Sequence, residues 1–339
     1  MLAIWADRRG FSSVANATLQ ERADLARAGG GDLSGVRHAY PPMPTFLAGI
    51  LPGGTAGVAV FTALCAGVAM QLVTARMVRR GVPLVLMAAL VLALVAVPAL
   101  WFEATQNLSG FLALMFLVVA LDGFVRFVAR GDTIGGFVAG LALAAAFLCD
   151  PIALVYTAAL AIAAPLLTPR ELRGESGLVR ATTSVLVFPI AAVAGGWAFL
   201  EWRFTGGAFA TLRADHDWFT FPGGVGESLI DALDHVGGVV LHAPVYVCIA
   251  VLLARRNIGA SIAYLVPVIG LVVAEWAGFR MTEALAFALL TLIALYSVPR
   301  FLGRVGTSAL ALAAALQFAA VLTWDPAGAE FRAWSALLF

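Results

Sequence analysis

The sequence predicts an all-α, polytopic integral membrane protein, and three observations carry that prediction. Hydrophobic residues make up 62% of the 339 and charged residues only 12%, too few to cover a soluble surface. The apolar residues fall in continuous runs of roughly bilayer-spanning length. The arginines between those runs fall on alternate turns.

Ten apolar segments reach or approach the roughly 20 residues that a helix needs to cross the hydrocarbon core: 54–78, 82–101, 108–128, 134–149, 151–168, 179–200, 236–254, 258–278, 282–299 and 305–323. Lipid offers no hydrogen-bond partners, so each segment must satisfy its own peptide groups, and continuous rather than alternating apolarity selects helices over a barrel. About ten transmembrane helices are therefore expected. Residues 45–339 form the transmembrane domain, with one larger loop at 201–235, and residues 1–44 form a loop carrying a juxtamembrane helix.

Twelve of the 21 basic residues, all of them arginine, follow the first, third, fifth, seventh and ninth segments. Arg76, Arg79 and Arg80 open this series and Arg300 and Arg304 close it. By the positive-inside rule those turns are cytoplasmic, which places residues 1–44 and the 201–235 loop outside. Arg8, Arg9, Arg22, Arg27 and Arg37 run against the rule, but five inner turns agree. Sixteen of the twenty acidic residues lie on the outer side, all but Asp122, Asp132, Glu171 and Glu175. The expected location is the cytoplasmic (inner) membrane, with the active face outside.

Met1 to Ala6 read as the outer end of a helix begun upstream, with Trp5 at the interfacial belt and Asp7 just emerging. In residues 13–28, Val14, Ala17, Leu19, Leu25 and Ala28 alternate with polar residues, the pattern of a helix lying flat on the membrane. Gly29 to Gly31 end it, and Pro41 and Pro42 impose an extended corner where the chain enters the bilayer.

A net charge of +1 points to no nucleic acid. Cys65, Cys149 and Cys248 are dispersed in apolar segments and read as small core residues. No His-Glu-x-x-His, Walker A loop or nucleophile elbow occurs, so zinc peptidase, ATPase and serine hydrolase readings lack support.

Taken in order, an acid at the end of a first helix, a flat amphipathic helix, the Tyr40-Pro41-Pro42-Met43 corner, short-looped helices and an aromatic outer loop resemble the GT-C glycosyltransferases. Within them the similarity is to bacterial relatives of protein mannosyltransferases and of the aminoarabinose transferases of lipid A. It covers residues 1 to about 170 best and includes the Gly140 to Asp150-Pro151 stretch. Asp150 stands where that family usually has lysine, and Arg8 where it has a second acid.

The resemblance implies a polyprenyl-phosphate sugar donor, a membrane lipid environment and catalysis by Asp7 as general base, with Tyr40 at the substrate corner. The residues themselves add candidates. Asp215 and Asp217 flank His216 in a set able to ligate a divalent cation or bind sugar hydroxyls, beside Trp218 for stacking; an aromatic belt with solvated charges explains them equally. Arg203 and Arg280 are suited to a donor phosphate, with snorkelling to headgroups as the other reading. The expected function is sugar transfer at the outer face. The alternatives are a noncatalytic relative within an envelope complex, or a transporter.

Overall fold

The computed structural model describes residues 2–28, 39–167, 176–215, 219–221, 224–255, 263–299, 302–324 and 328–337. Among these residues every element is helical. In chain order the helices are α1 (Leu2–Arg8), α2 (Val14–Ala28), α3 (Pro42–Ile50), α4 (Gly54–Arg79), α5 (Leu84–Val95), α6 (Pro98–Gln106), α7 (Leu108–Arg130), α8 (Thr133–Phe147) and α9 (Ile152–Leu167). They continue with α10 (Ser176–Thr205), α11 (Ala210–Asp215), α12 (Val225–Leu241), α13 (Pro244–Ala254), α14 (Val266–Trp276), α15 (Glu283–Ser297), α16 (Gly303–Leu322) and α17 (Ala329–Ala336).

Four helices are long and apolar enough to cross a membrane: α4, residues 108–127 of α7, residues 183–205 of α10, and α16. The number rises to six if the bent pairs α5–α6 and α12–α13 each count as one span. Helices α8, α9, α14 and α15 are apolar but shorter. Thus each apolar segment contains a helix among its described residues, while straight spans at 82–101 and 236–254 are replaced by bends of 71° and 86°. Each bend precedes a proline, Pro98 or Pro244, which has no N–H to continue a ladder and sits in the first turn of the next helix.

Helix α15 is the axis of the bundle. Every residue from Ala284 to Leu295 is buried, as expected of a helix apolar all round. It packs against α4, α6, α7, α12 and α13 among others. The peripheral helices instead present large apolar side chains outward, such as Val85, Phe188 and Leu241, an exposure that lipid covers. Helices α7 and α8 approach most closely at Gly123 and Gly135, where a Cβ on either would lie 2.6 or 2.8 Å from the other's carbonyl oxygen. Gly140 gives α10 a similar backbone approach.

The helix breaks leave peptide groups that lipid cannot solvate, and polar side chains from elsewhere meet them. Gln317 of α16 is fully buried. It accepts from the Val245 N–H at the start of α13 (3.2 Å) and donates to the Ala93 carbonyl near the end of α5 and the Thr291 hydroxyl (3.3 Å each). At the α6–α7 junction, Asn16 accepts from Leu108 N–H and donates to the Thr105 carbonyl, while the Ser13 hydroxyl donates to the Gln106 carbonyl. Ser13, just before α2, and Asn16, Leu19 and Ala23 within it are therefore buried. Val14 and Leu25, expected on its buried face, are 63% and 44% exposed.

Among the described residues, the turns that follow the first, third and ninth apolar segments meet at one end of the bundle. There Asp122 receives Arg76 (2.6 Å) and Arg126 (3.1 Å), and Arg126 also reaches Asp132 (3.7 Å). Arg76 donates to the Tyr296 carbonyl (2.9 Å) and lies over the Tyr296 ring, and Arg80 donates to the Val298 carbonyl.

Candidate functional site

At the opposite, carboxylate-rich end, three helices begin around one small cavity. Each starts with a polar residue whose side chain accepts a backbone N–H left over at a helix start. Asn107 accepts from Gly110 N–H (2.9 Å) at α7, Asp150 from Ile152 N–H (2.9 Å) at α9, and Thr282 from Leu285 N–H (3.4 Å) at α15. The cavity is about 100 Å³ and is lined by Asn107, Ser109, Asp150, Arg280, Thr282 and Leu285 among others. Gly110 lets the first turn of α7 close onto α15, because a Cβ there would lie 2.7 Å from Leu285 Cδ1.

The wall behind the cavity is a polar network. Glu103 is buried, accepts from the Asn107 amide (2.7 Å) and is also hydrogen-bonded by the Thr282 side chain. The Ser109 hydroxyl donates to the Cys149 carbonyl. Three helix N-termini thus border a space that Arg280 also lines, an arrangement suited to an anion. Arg280 is 81% exposed and, among the described residues, makes one ion pair, from Nε to Glu275 Oε1 at 3.5 Å. His235 of α12 stands beside it, Nδ1 3.5 Å from Glu275 and Nε2 3.8 Å from Glu283.

An apolar groove of about 550 Å³ runs along α9 and α14, lined by Leu154, Ala158, Ile162, Leu166, Ile269 and Val273. Phe279 lines it too, one residue before Arg280. The groove's lining on α9 runs from Leu154 to Leu167, about 20 Å of helix at the usual rise. Several of its residues, Ile162 and Leu166 foremost, are exposed where lipid would lie.

The larger loop is tied to this end at both of its sides. Glu201 is buried and accepts from the Trp197 indole (2.8 Å) and the Thr211 hydroxyl, holding α11 on α10. Phe219 N–H donates to the Ala277 carbonyl (3.2 Å), and the Phe221 ring lies 5.3 Å from Trp276. The loop therefore returns to the last turn of α14, next to Glu275.

The candidates read from sequence are not gathered in one place. Arg280 lines the cavity. Asp7 is exposed at the end of α1, whose Ala6 packs against Phe102 and Trp334, and it does not line the cavity. Tyr40 is buried, its hydroxyl donating to the Phe147 carbonyl (3.0 Å) and its ring against Phe147 and Trp197. Arg203 is exposed with its guanidinium 5.7 Å from the Phe204 ring centroid. Asp215 ends α11, and His216, Asp217 and Trp218 lie outside the described residues. Among the described residues no group of three or more His, Cys, Asp or Glu is arranged to hold a metal ion.

Asn107, Ser109 and Thr282 were missed by sequence reasoning, and Asp150 was noted only as a departure from a family pattern. A signal existed. Each of Asn107, Asp150 and Thr282 stands just before an apolar run, as a helix cap does, on turns that the arginine alternation assigns to one face. Comparison with protein-family models, with curated proteins and with solved structures finds no match.

Proposed function

We propose that this chain transfers a sugar from a polyprenyl-phosphate donor to an acceptor hydroxyl at the outer face of the cytoplasmic membrane. One juxtaposition carries the reading: a long, lipid-facing apolar groove ends at Phe279, directly before Arg280, which lines a cavity onto which three helix N-termini open. The groove suits an isoprenoid chain in polarity. The cavity suits its phosphate, because an arginine fork and helix N-termini both favour a bound anion.

In the reaction, the bond from anomeric carbon to phosphate oxygen breaks and the acceptor oxygen bonds to that carbon. The lipid phosphate leaves with the electron pair, and a carboxylate takes the hydroxyl proton. Asp7 holds the base role by family resemblance, and Asp150 by sharing the cavity with Arg280. Arg203 and the Asp215–Trp218 segment belong to the loop that Glu201 tethers, and they serve as sugar contacts in this reading.

The test is sugar transfer by the purified protein in sealed vesicles of known sidedness, with donor on one side only. Asn in place of the true base should lower the rate by about 10² to 10⁴-fold, and Asp7→Asn against Asp150→Asn identifies it. Transfer unchanged in both variants would sink the base assignment. An inactive parent would leave the noncatalytic subunit. A carrier is the second reading, favoured by the two broken helix pairs meeting at Gln317, since transporters place sites at interrupted helices.

A further inference from the structure

His235 lies between carboxylates on two other helices, Glu275 of α14 and Glu283 of α15. Glu275 Oε1 is the nearest acidic atom to both His235 Nδ1 and Arg280 Nε, at 3.5 Å in each case. One carboxylate oxygen thus serves a permanent cation and a conditional one. Arg280 meets Glu275 through Nε, and it lines the cavity. Among the described residues, the other charges near His235 are Asp231 and Asp234 on its own helix, both exposed. Its other neighbours, such as Val239, Leu271 and Ala286, are apolar.

The geometry points to His235 as a positioning residue that sets, through Glu275, how strongly Arg280 attracts the phosphate of a lipid-linked donor. The inference rests on the reading of the cavity as a phospho-sugar site. With His235 neutral, the charge of Glu275 is answered by Arg280 alone, and the field of Arg280 in the cavity is largely cancelled. With His235 protonated, its two N–H groups face Glu275 and Glu283, Glu275 is neutralised locally, and Arg280 acts on the cavity as an uncompensated cation. Donor affinity rises when His235 takes up a proton.

The experiment measures binding of a polyprenyl phospho-sugar, a phosphodiester whose charge is constant over the range, to the full chain in lipid nanodiscs between about pH 5.5 and pH 8. The parent should bind at least about fivefold tighter at the acid end, the lower range of a typical coupling between sites. Glu275→Gln should bind tightly at every pH and His235→Gln weakly at every pH. These opposite plateaus are not expected of a residue that merely supports the fold. Thermal unfolding of each variant is followed in parallel. If His235→Gln does not fold, Glu275→Gln alone decides, and a surviving pH dependence in it overturns the proposal. Parent and His235→Gln with the same pH profile, while Arg280→Gln still weakens binding, overturn this inference and leave the phospho-sugar site standing. Equal binding by parent and Arg280→Gln at all pH overturns both.

Discussion

The two ends of the bundle carry opposite charges and use them in opposite ways. At the arginine-rich end Asp122 is shared by Arg76 and Arg126, Asp132 takes Arg126 as well, and Arg80 is bound to the Val298 carbonyl. At the other end Arg280 makes, among the described residues, a single ion pair and stays exposed, and three helix starts open on a cavity. Two of the four acids that the arginine alternation places inside, Asp122 and Asp132, receive arginines. Charge at one end closes the structure; at the other it is left for something to bind. A similar density of polar residues therefore does not indicate a similar role.

The comparison breaks most readily at Asp122. Asp122→Ala strands Arg76 and Arg126 in a partly buried site, and it should cost about 3 kcal/mol, the low end for removing one partner of a buried pair. Thermal or denaturant unfolding in detergent measures this; a loss below about 1 kcal/mol would mean that the arginine-rich end is not held by its ion pairs.

A smaller effect is expected at the carboxylate-rich end, where the stabilising contacts are hydrogen bonds to peptide groups. Asn16→Ala removes the partners of Leu108 N–H and the Thr105 carbonyl, both at the α6–α7 junction. About 1 to 3 kcal/mol should be lost, the cost of leaving buried peptide groups unmet. Unaltered stability would show that α2 merely rests on the bundle.

The smallest effect sharpens the contrast. Arg280→Ala should change stability by no more than about 0.5 kcal/mol, as at other exposed positions, and should still weaken donor binding. A large loss of stability would place Arg280 with Arg76 and Arg126 as a structural arginine.

Much of this architecture is legible in the sequence. Hydropathy marks the helical segments because it is a local signal, and Arg76, Arg80 and Arg126, from two of the arginine turns, meet at one cluster. The bends at Pro98 and Pro244 are also local, but continuous apolar sequence around each proline hides them from a reading by hydropathy. The buried face of α2 is not legible. Its pattern selects Val14 and Leu25, whereas its partner is a set of peptide groups, so Ser13 and Asn16 face inward instead. The cavity is hidden for a related reason. Asn107, Asp150 and Thr282 lie in three turns far apart in the chain, and only the packing of α7, α9 and α15 makes them neighbours.

Gln317 contacts both bent pairs, meeting the Val245 N–H of one and the Ala93 carbonyl of the other. In mechanical terms a single pin passes through two joints. A shift of α13 that withdraws the Val245 N–H also unsettles the amide that holds the end of α5, so the two elbows flex as a linked pair. They also fail as a pair. Loss of this one side chain loosens distant stretches of the chain together, and repairing either joint alone leaves the other open.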